Sequence, residues 1–299
     1  MSIVLEQLRY VRLGVQNLKT GTSFARDILG LECSSSTDTT AYFKSDFREY
    51  TLCLVEGGCE PAIALDIRTA EALSEARLLL QTEGYAVRDG SEAECRDRKV
   101  KAFFTFPDNS GNFIEIVLRP LVSGWRYFPA RDTGVTGLQS VALRTTAPEK
   151  DEDLWTRILG GRVSDWIGDG PQIRFDASHH RISLHPSHQC GILSIAYAVE
   201  GINQVMQSQY FLRDNQYRIA HGPGREATSE QIFITFEGPG DVYFSFVTQG
   251  LSIADDGKHA PRQFPMTPKS FCSWGSETTV PEFGGIGTPS PTAKPAGKV

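Results

Sequence analysis

Long apolar runs are missing from this chain: no window of its 299 residues approaches the roughly 20 apolar residues that a membrane-crossing helix needs. Basic runs are missing too, and 30 Lys and Arg stand against 36 Asp and Glu, for a net charge of −6. Without a phosphate-binding stripe, nucleic acid is excluded as an expected partner. The opening Met1-Ser2-Ile3-Val4-Leu5-Glu6-Gln7 lacks the basic-then-apolar order of an export signal, so a cytoplasmic location is expected. Cysteine is sparse. Cys33, Cys53, Cys59, Cys95, Cys190 and Cys272 contain no C-x-x-C pair, which argues against a zinc or dithiol site and for reduced thiols. Histidine is absent from the first half, and all six lie between His179 and His259.

What is present is the composition of a soluble globular protein, 40% apolar and 22% charged, long enough for two domains. One unit repeats four times, each with a strand, a helix and further strands. The first has a strand over Leu8 to Val15, a helix over Asn17 to Leu29, and strands near Ala41 to Lys44 and Tyr50 to Val55. The second, Ala62 to Leu118, holds a helix over Thr69 to Thr82 and strands at Ala102 to Phe106 and Phe113 to Leu118. A third starts at Leu138 with a helix near Asp151 to Leu159. The fourth starts at Gly191, with a helix over Gly201 to Leu212 and strands at Gln231 to Phe236 and Val242 to Val247. The pattern predicts an α+β chain of four β-α-β-β-β modules paired into two domains. Residues 1–119 form the first domain, 120–136 a linker rich in Gly, Pro and charge, and 137–254 the second domain. Residues 255–299 read as an extended arm, through Trp274, and a disordered Gly/Pro/Ser/Thr-rich tail from Pro281 to Val299.

The entry sequence Tyr10-Val11-Arg12-Leu13-Gly14-Val15, the four-module plan and the closing Asp108-Asn109-Ser110-Gly111-Asn112-Phe113-Ile114-Glu115 resemble the vicinal oxygen chelate superfamily. Within it, about residues 5 to 250 look like a type I extradiol ring-cleavage dioxygenase of the dihydroxybiphenyl type. The resemblance implies paired modules forming incomplete barrels around clefts, a catalytic C-terminal domain, a degenerate N-terminal one and a homo-oligomer. It also implies three metal-ligand strands, at Gly137 to Leu143, Gly191 to Tyr197 and Pro239 to Val247, where the family carries His, His and Glu. This chain reads Ser140, Ser194 and Ser245 there. The same registration sets Glu226, Glu230 and Thr235 where the family has two histidines and a tyrosine near the substrate. Ser178-His179-His180-Arg181-Ile182-Ser183-Leu184 resembles its His-His strand, with His180 at the proton-moving position.

Hydroxyls are poor Fe(II) ligands, so this reading expects no metal and no cofactor, with Fe2+ as the alternative. His180 becomes the general acid/base, titrating near neutrality and assisted by Glu226 or Glu230. Ser140, Ser194, Ser245, His179, Thr235 and Tyr243 form the expected pocket. Strand alternation sets His180 and His185 on opposite faces, and His179 opposite to His180. In the N-terminal domain the corresponding positions are Tyr10, a residue near Ala62, and Glu115, the last read as a structural carboxylate. Gly222-Pro223-Gly224-Arg225 reads as a loop, and Trp155 and Trp166 as core or pocket-wall aromatics. Three functions follow. One is a metal-independent isomerase, hydratase or carbon–carbon lyase acting on an aromatic, phenolic or polyketide-like molecule. The others are a non-catalytic binding protein and an Fe(II)-dependent catechol dioxygenase with displaced ligands.

Overall fold

A computed structural model describes residues 3–285. It is an α+β structure with two open sheets. The first sheet comprises β1 (Gln7–Val15), β2 (Glu32–Ser36), β3 (Thr40–Lys44), β4 (Leu52–Glu56), β5 (Ala62–Ile67), β6 (Arg88–Asp89), β7 (Ala102–Pro107) and β8 (Phe113–Leu118). Its order is β2-β3-β4-β1-β5-β8-β7-β6. The second comprises β9 (Val135–Thr145), β10 (Arg162–Ile167), β11 (Gly170–Arg174), β12 (Ile182–Pro186), β13 (Gly191–Val199), β14 (Ile219–Arg225), β15 (Ile232–Glu237), β16 (Tyr243–Thr248) and β17 (Arg262–Phe264). Its order is β14-β15-β16-β13-β9-β12-β11-β10-β17. In each sheet the leading strands of two modules meet antiparallel at the centre, β1 with β5 and β9 with β13, and each pairs in parallel with the last strand of its own module.

The central strands are buried on both faces, which is why they read as near-continuous apolar runs. One face packs under helices, and those of the first half are capped by side chains: Asn17 accepts from the Thr20 N–H, and Thr69 from the Ala72 N–H. Val11, Leu13, Val141, Leu143, Ile195 and Tyr197 belong to the large core beneath those helices. The other face is concave, and the two sheets fill it differently. In the first, Tyr10, Tyr42, Tyr50, Phe103 and Val117 occupy it. In the second, the equivalent positions are small: Ala142, Ala196 and the serines of the central strands. Space is left in the second half only because its sequence puts hydroxyls and methyls where the first has rings.

The extended arm adds to the second sheet, where Arg262–Phe264 pairs in parallel with β10. Two expectations are corrected here. The segment read as disordered from Pro281 begins with a helical turn, Pro281–Gly284, whose Phe283 is buried. The segment from Ile286 onward lies outside the described residues. Gly222 to Arg225, read as a loop, forms the end of β14. Among the described residues no helix is long and apolar enough to cross a membrane.

Candidate functional site

Register brings the three serines together. On β9 and β13, Ser140 stands opposite Ala196 and Ala142 opposite Ser194; on β13 and β16, Ala196 stands beside Ser245. All three hydroxyls, with Ala142 and Ala196, line one cavity of about 70 Å³ on the concave face. Ser245 Oγ lies 2.8 Å from Thr235 Oγ1, so β16 and β15 share a side-chain hydrogen bond at this wall. Phe233, Phe271 and Phe283 supply aromatic surface. The last two come from the arm, fixed by the Arg144 Nε–Glu282 Oε1 ion pair at 2.9 Å and by Ser187 Oγ donating to the same oxygen at 3.0 Å. Phe283 also stacks on His221, with ring centroids 5.9 Å apart.

Three imidazoles border the cavity: His180, His185 and His221. Burial holds each of them below the usual histidine value, His180 well below and the other two at about 4. The expectation that His180 titrates near neutrality is therefore corrected: it is a neutral ring at pH 7. The group poised near pH 7 is Glu226. Burial of its carboxyl pushes it up to about 7, although hydrogen bonds from Ser229 and Gln231 oppose this. The opposite-face expectation also fails, because His180 and His185 both line the cavity. Strand β12 starts only at Ile182, so alternation does not extend back to His180.

Of the expected site residues, Ser140, Ser194, Ser245, Thr235, His180 and Glu226 share the cavity lining. His179 lies behind it, its Nδ1 3.2 Å from His180 Nδ1 and its Nε2 2.9 Å from Asp165 Oδ2. Tyr243, also expected there, is outside the lining and packs against Phe283, with ring centroids 5.7 Å apart. Glu230 sits outside the lining, in a left-handed turn with its carboxylate 2.7 Å from Arg225 Nη2. Sequence reasoning missed Gln172, Thr228, His221, Phe271 and Phe283. Gln172 Oε1 and Thr228 Oγ1 are buried cavity-lining residues' polar atoms with no partner among the described residues. Nothing in strand or helix periodicity marks such residues.

In the first sheet the corresponding positions are closed. Tyr10 donates to Glu115 Oε2 at 2.6 Å, and Arg98 Nε donates to Glu115 Oε1 at 2.7 Å. Tyr50 stacks on Tyr10 at 4.7 Å. Glu115 thus closes a structural network. Trp155 is fully buried in the core and Trp166 donates to Glu152, away from the cavity.

Comparison with known proteins now bears on this geometry. No protein-family model matches the chain. It is 24% identical over 277 residues to the iron-dependent extradiol dioxygenase of Rhodococcus jostii, covering 84% of this chain and 92% of that protein. It is 27% identical over 180 residues to 3-methylcatechol 2,3-dioxygenase of Pseudomonas putida, covering 56% of this chain and 61% of the relative. In structure it resembles the Mn(II)-bound glyoxalase from Novosphingobium aromaticivorans, with a TM-score of 0.83 at 22% identity over 98% of this chain and 96% of that one. The chain has the vicinal oxygen chelate fold, and its relatives are extradiol dioxygenases. It also resembles a halotolerant catechol dioxygenase, BphC, with a TM-score of 0.81 at 17% identity, covering 88% of this chain and 92% of that one.

These relatives overturn the expectation that no cofactor belongs to the chain, since one is named for iron and one structure holds Mn(II). The side chains on this cavity do not by themselves fit such an ion. The three positions carry neutral hydroxyls, and among the described residues no three His, Cys, Asp or Glu side chains converge to hold a metal.

Proposed function

We propose that this chain is an extradiol dioxygenase-like enzyme of the cytoplasm that takes a small phenolic or catechol-like molecule into the cavity of its second domain, residues 137–254. One observation carries the reading: the hydroxyl residues Ser140, Ser194 and Ser245 and the rings of Phe233, Phe271 and Phe283 line one and the same cavity. Phe233, Phe271 and Phe283 suit the faces of an aromatic ring, while Ser140, Ser194 and Ser245 suit its oxygens.

Above pH 7 the Glu226 carboxylate can accept a proton from a ligand hydroxyl: the O–H bond breaks and a carboxyl O–H forms. His180, neutral, offers a second acceptor on the same lining. The relatives favour oxidative ring cleavage of a catechol over the isomerase, hydratase or lyase chemistry that the hydroxyls suggest. The test is to titrate catechol and 3-methylcatechol calorimetrically, then to follow the near-visible absorbance of ring-opened product in air with Fe(II) added. Binding with turnover supports the proposal. Binding without turnover removes the enzyme and leaves a binding protein, and absence of binding removes the site.

A further inference from the structure

Behind the cavity wall three side chains form a line. Asp165, fully buried on β10, accepts at Oδ1 from Arg262 N at 2.8 Å and Nε at 3.1 Å. Its Oδ2 accepts from Arg262 Nη2 at 2.6 Å and lies 2.9 Å from His179 Nε2. His179 Nδ1 in turn lies 3.2 Å from His180 Nδ1. His180 lines the cavity, and its Nε2 has no hydrogen-bond partner among the described residues.

Proton counting fixes this line. Burial raises the Asp165 carboxyl, but the hydrogen bonds from His179 and Arg262 outweigh it and hold the group at about 2, so it is an acceptor only. His179 Nε2 must therefore carry a hydrogen. Burial keeps His179 neutral, leaving it a single N–H and a bare Nδ1. Two bare nitrogens cannot face each other at 3.2 Å, so His180 Nδ1 carries the hydrogen between the rings. His180 is neutral as well, which leaves Nε2 bare.

We propose that Asp165 and His179 are positioning residues that lock His180 as its Nδ1–H tautomer, so that a bare Nε2 faces the cavity as a proton acceptor for a ligand hydroxyl. The role in catalysis rests on the function proposed above; the tautomer does not. His179, expected in the pocket itself, acts in this proposal from behind its wall.

Asp165→Asn should turn the line around. Arg262 donates to Oδ1 from both N and Nε but to Oδ2 only from Nη2, which also has Thr228 O as an acceptor at 2.7 Å, so Oδ1 remains oxygen and the amide nitrogen takes the Oδ2 position, giving up the Nη2 contact and donating to His179 Nε2. His179 Nδ1–H then donates to His180 Nδ1, and His180 Nε2 becomes the protonated atom. The experiment is a two-bond 15N–1H correlation spectrum of the full chain labelled at histidine, with His180→Gln identifying the signals that belong to His180. The expected result is Nδ1–H in the wild type and Nε2–H in Asp165→Asn. An Nε2–H wild type, or an unchanged tautomer in a folded Asp165→Asn variant, overturns the proposal, and the wild-type spectrum decides even if the variant does not fold. If catechol turnover is present, Asp165→Asn should lower kcat by about 100-fold with KM nearly unchanged, as expected for loss of a general base. A failed catechol assay with the expected spectra would remove the proposed reaction while leaving the tautomer lock standing.

Discussion

Glu226→Gln isolates the buried carboxyl. Burial raises it from the usual 4.5 to about 7, so the folded protein holds the proton more tightly than the unfolded chain. The sign follows: the penalty for folding is absent below pH 4.5, grows as pH rises, and is complete above pH 7. Each pH unit in that window is worth about 1.4 kcal/mol, which makes the full penalty about 3 kcal/mol. Glutamine has no charge to bury and can still accept from Ser229 Oγ. The variant should therefore match the wild type in stability near pH 4.5 and exceed it by about 3 kcal/mol at pH 8. Urea unfolding followed by tryptophan fluorescence, using the four tryptophans, measures both. With a urea slope of about 3 kcal/mol per molar, the midpoint should rise by about 1 M at pH 8 only. A stability difference that is the same at both pH values would refute the assignment of a raised carboxyl. A loss at pH 8 would show that the carboxylate is stabilised in place, contrary to the burial argument.

Two further substitutions probe the walls of the two sheets. Phe283→Ala, removing the ring that stacks on His221 and packs against Tyr243, should cost about 3 kcal/mol in urea unfolding and speed ligand release in stopped-flow measurements. Unchanged release would show that the arm does not close the cavity. Glu115→Ala, in the other sheet, should cost about 3 kcal/mol because it removes the acceptor of both the buried Tyr10 hydroxyl, at 2.6 Å, and the half-buried Arg98 guanidinium, at 2.7 Å. It should leave catechol affinity unchanged in calorimetry, since Glu115 lies in the filled concave face.

The modules were readable because two periods alternate along the chain: residues such as Ala76 and Leu80 recur at helical spacing, and the runs at Phe113 to Leu118 fit strands. The cavity's hydroxyls were readable through a family registration, and the ladder between β9, β13 and β16 shows why they meet. Other features depend on tertiary surroundings. His180 lies in an irregular entry to β12, so alternation gave the wrong face, and its depressed proton affinity comes from walls distant in sequence. Glu230 leaves the site because its backbone turns left-handed and its carboxylate finds Arg225. Phe283 was hidden in a Pro/Gly-rich stretch whose helical turn, only four residues long, is held by Arg144 on a distant strand rather than by its own propensity.

The central claim is that the cavity of the second sheet receives a hydroxylated aromatic ring. Ala196 faces that cavity between Ser140 and Ser245, so Ala196→Phe would fill the space a ligand ring needs. Calorimetric titration of catechol into the wild type and into folded Ala196→Phe is the direct measurement. Saturable binding to the wild type, weakened at least 10-fold in the variant, is the predicted result; no binding to the wild type, or equal binding to both proteins, would contradict it.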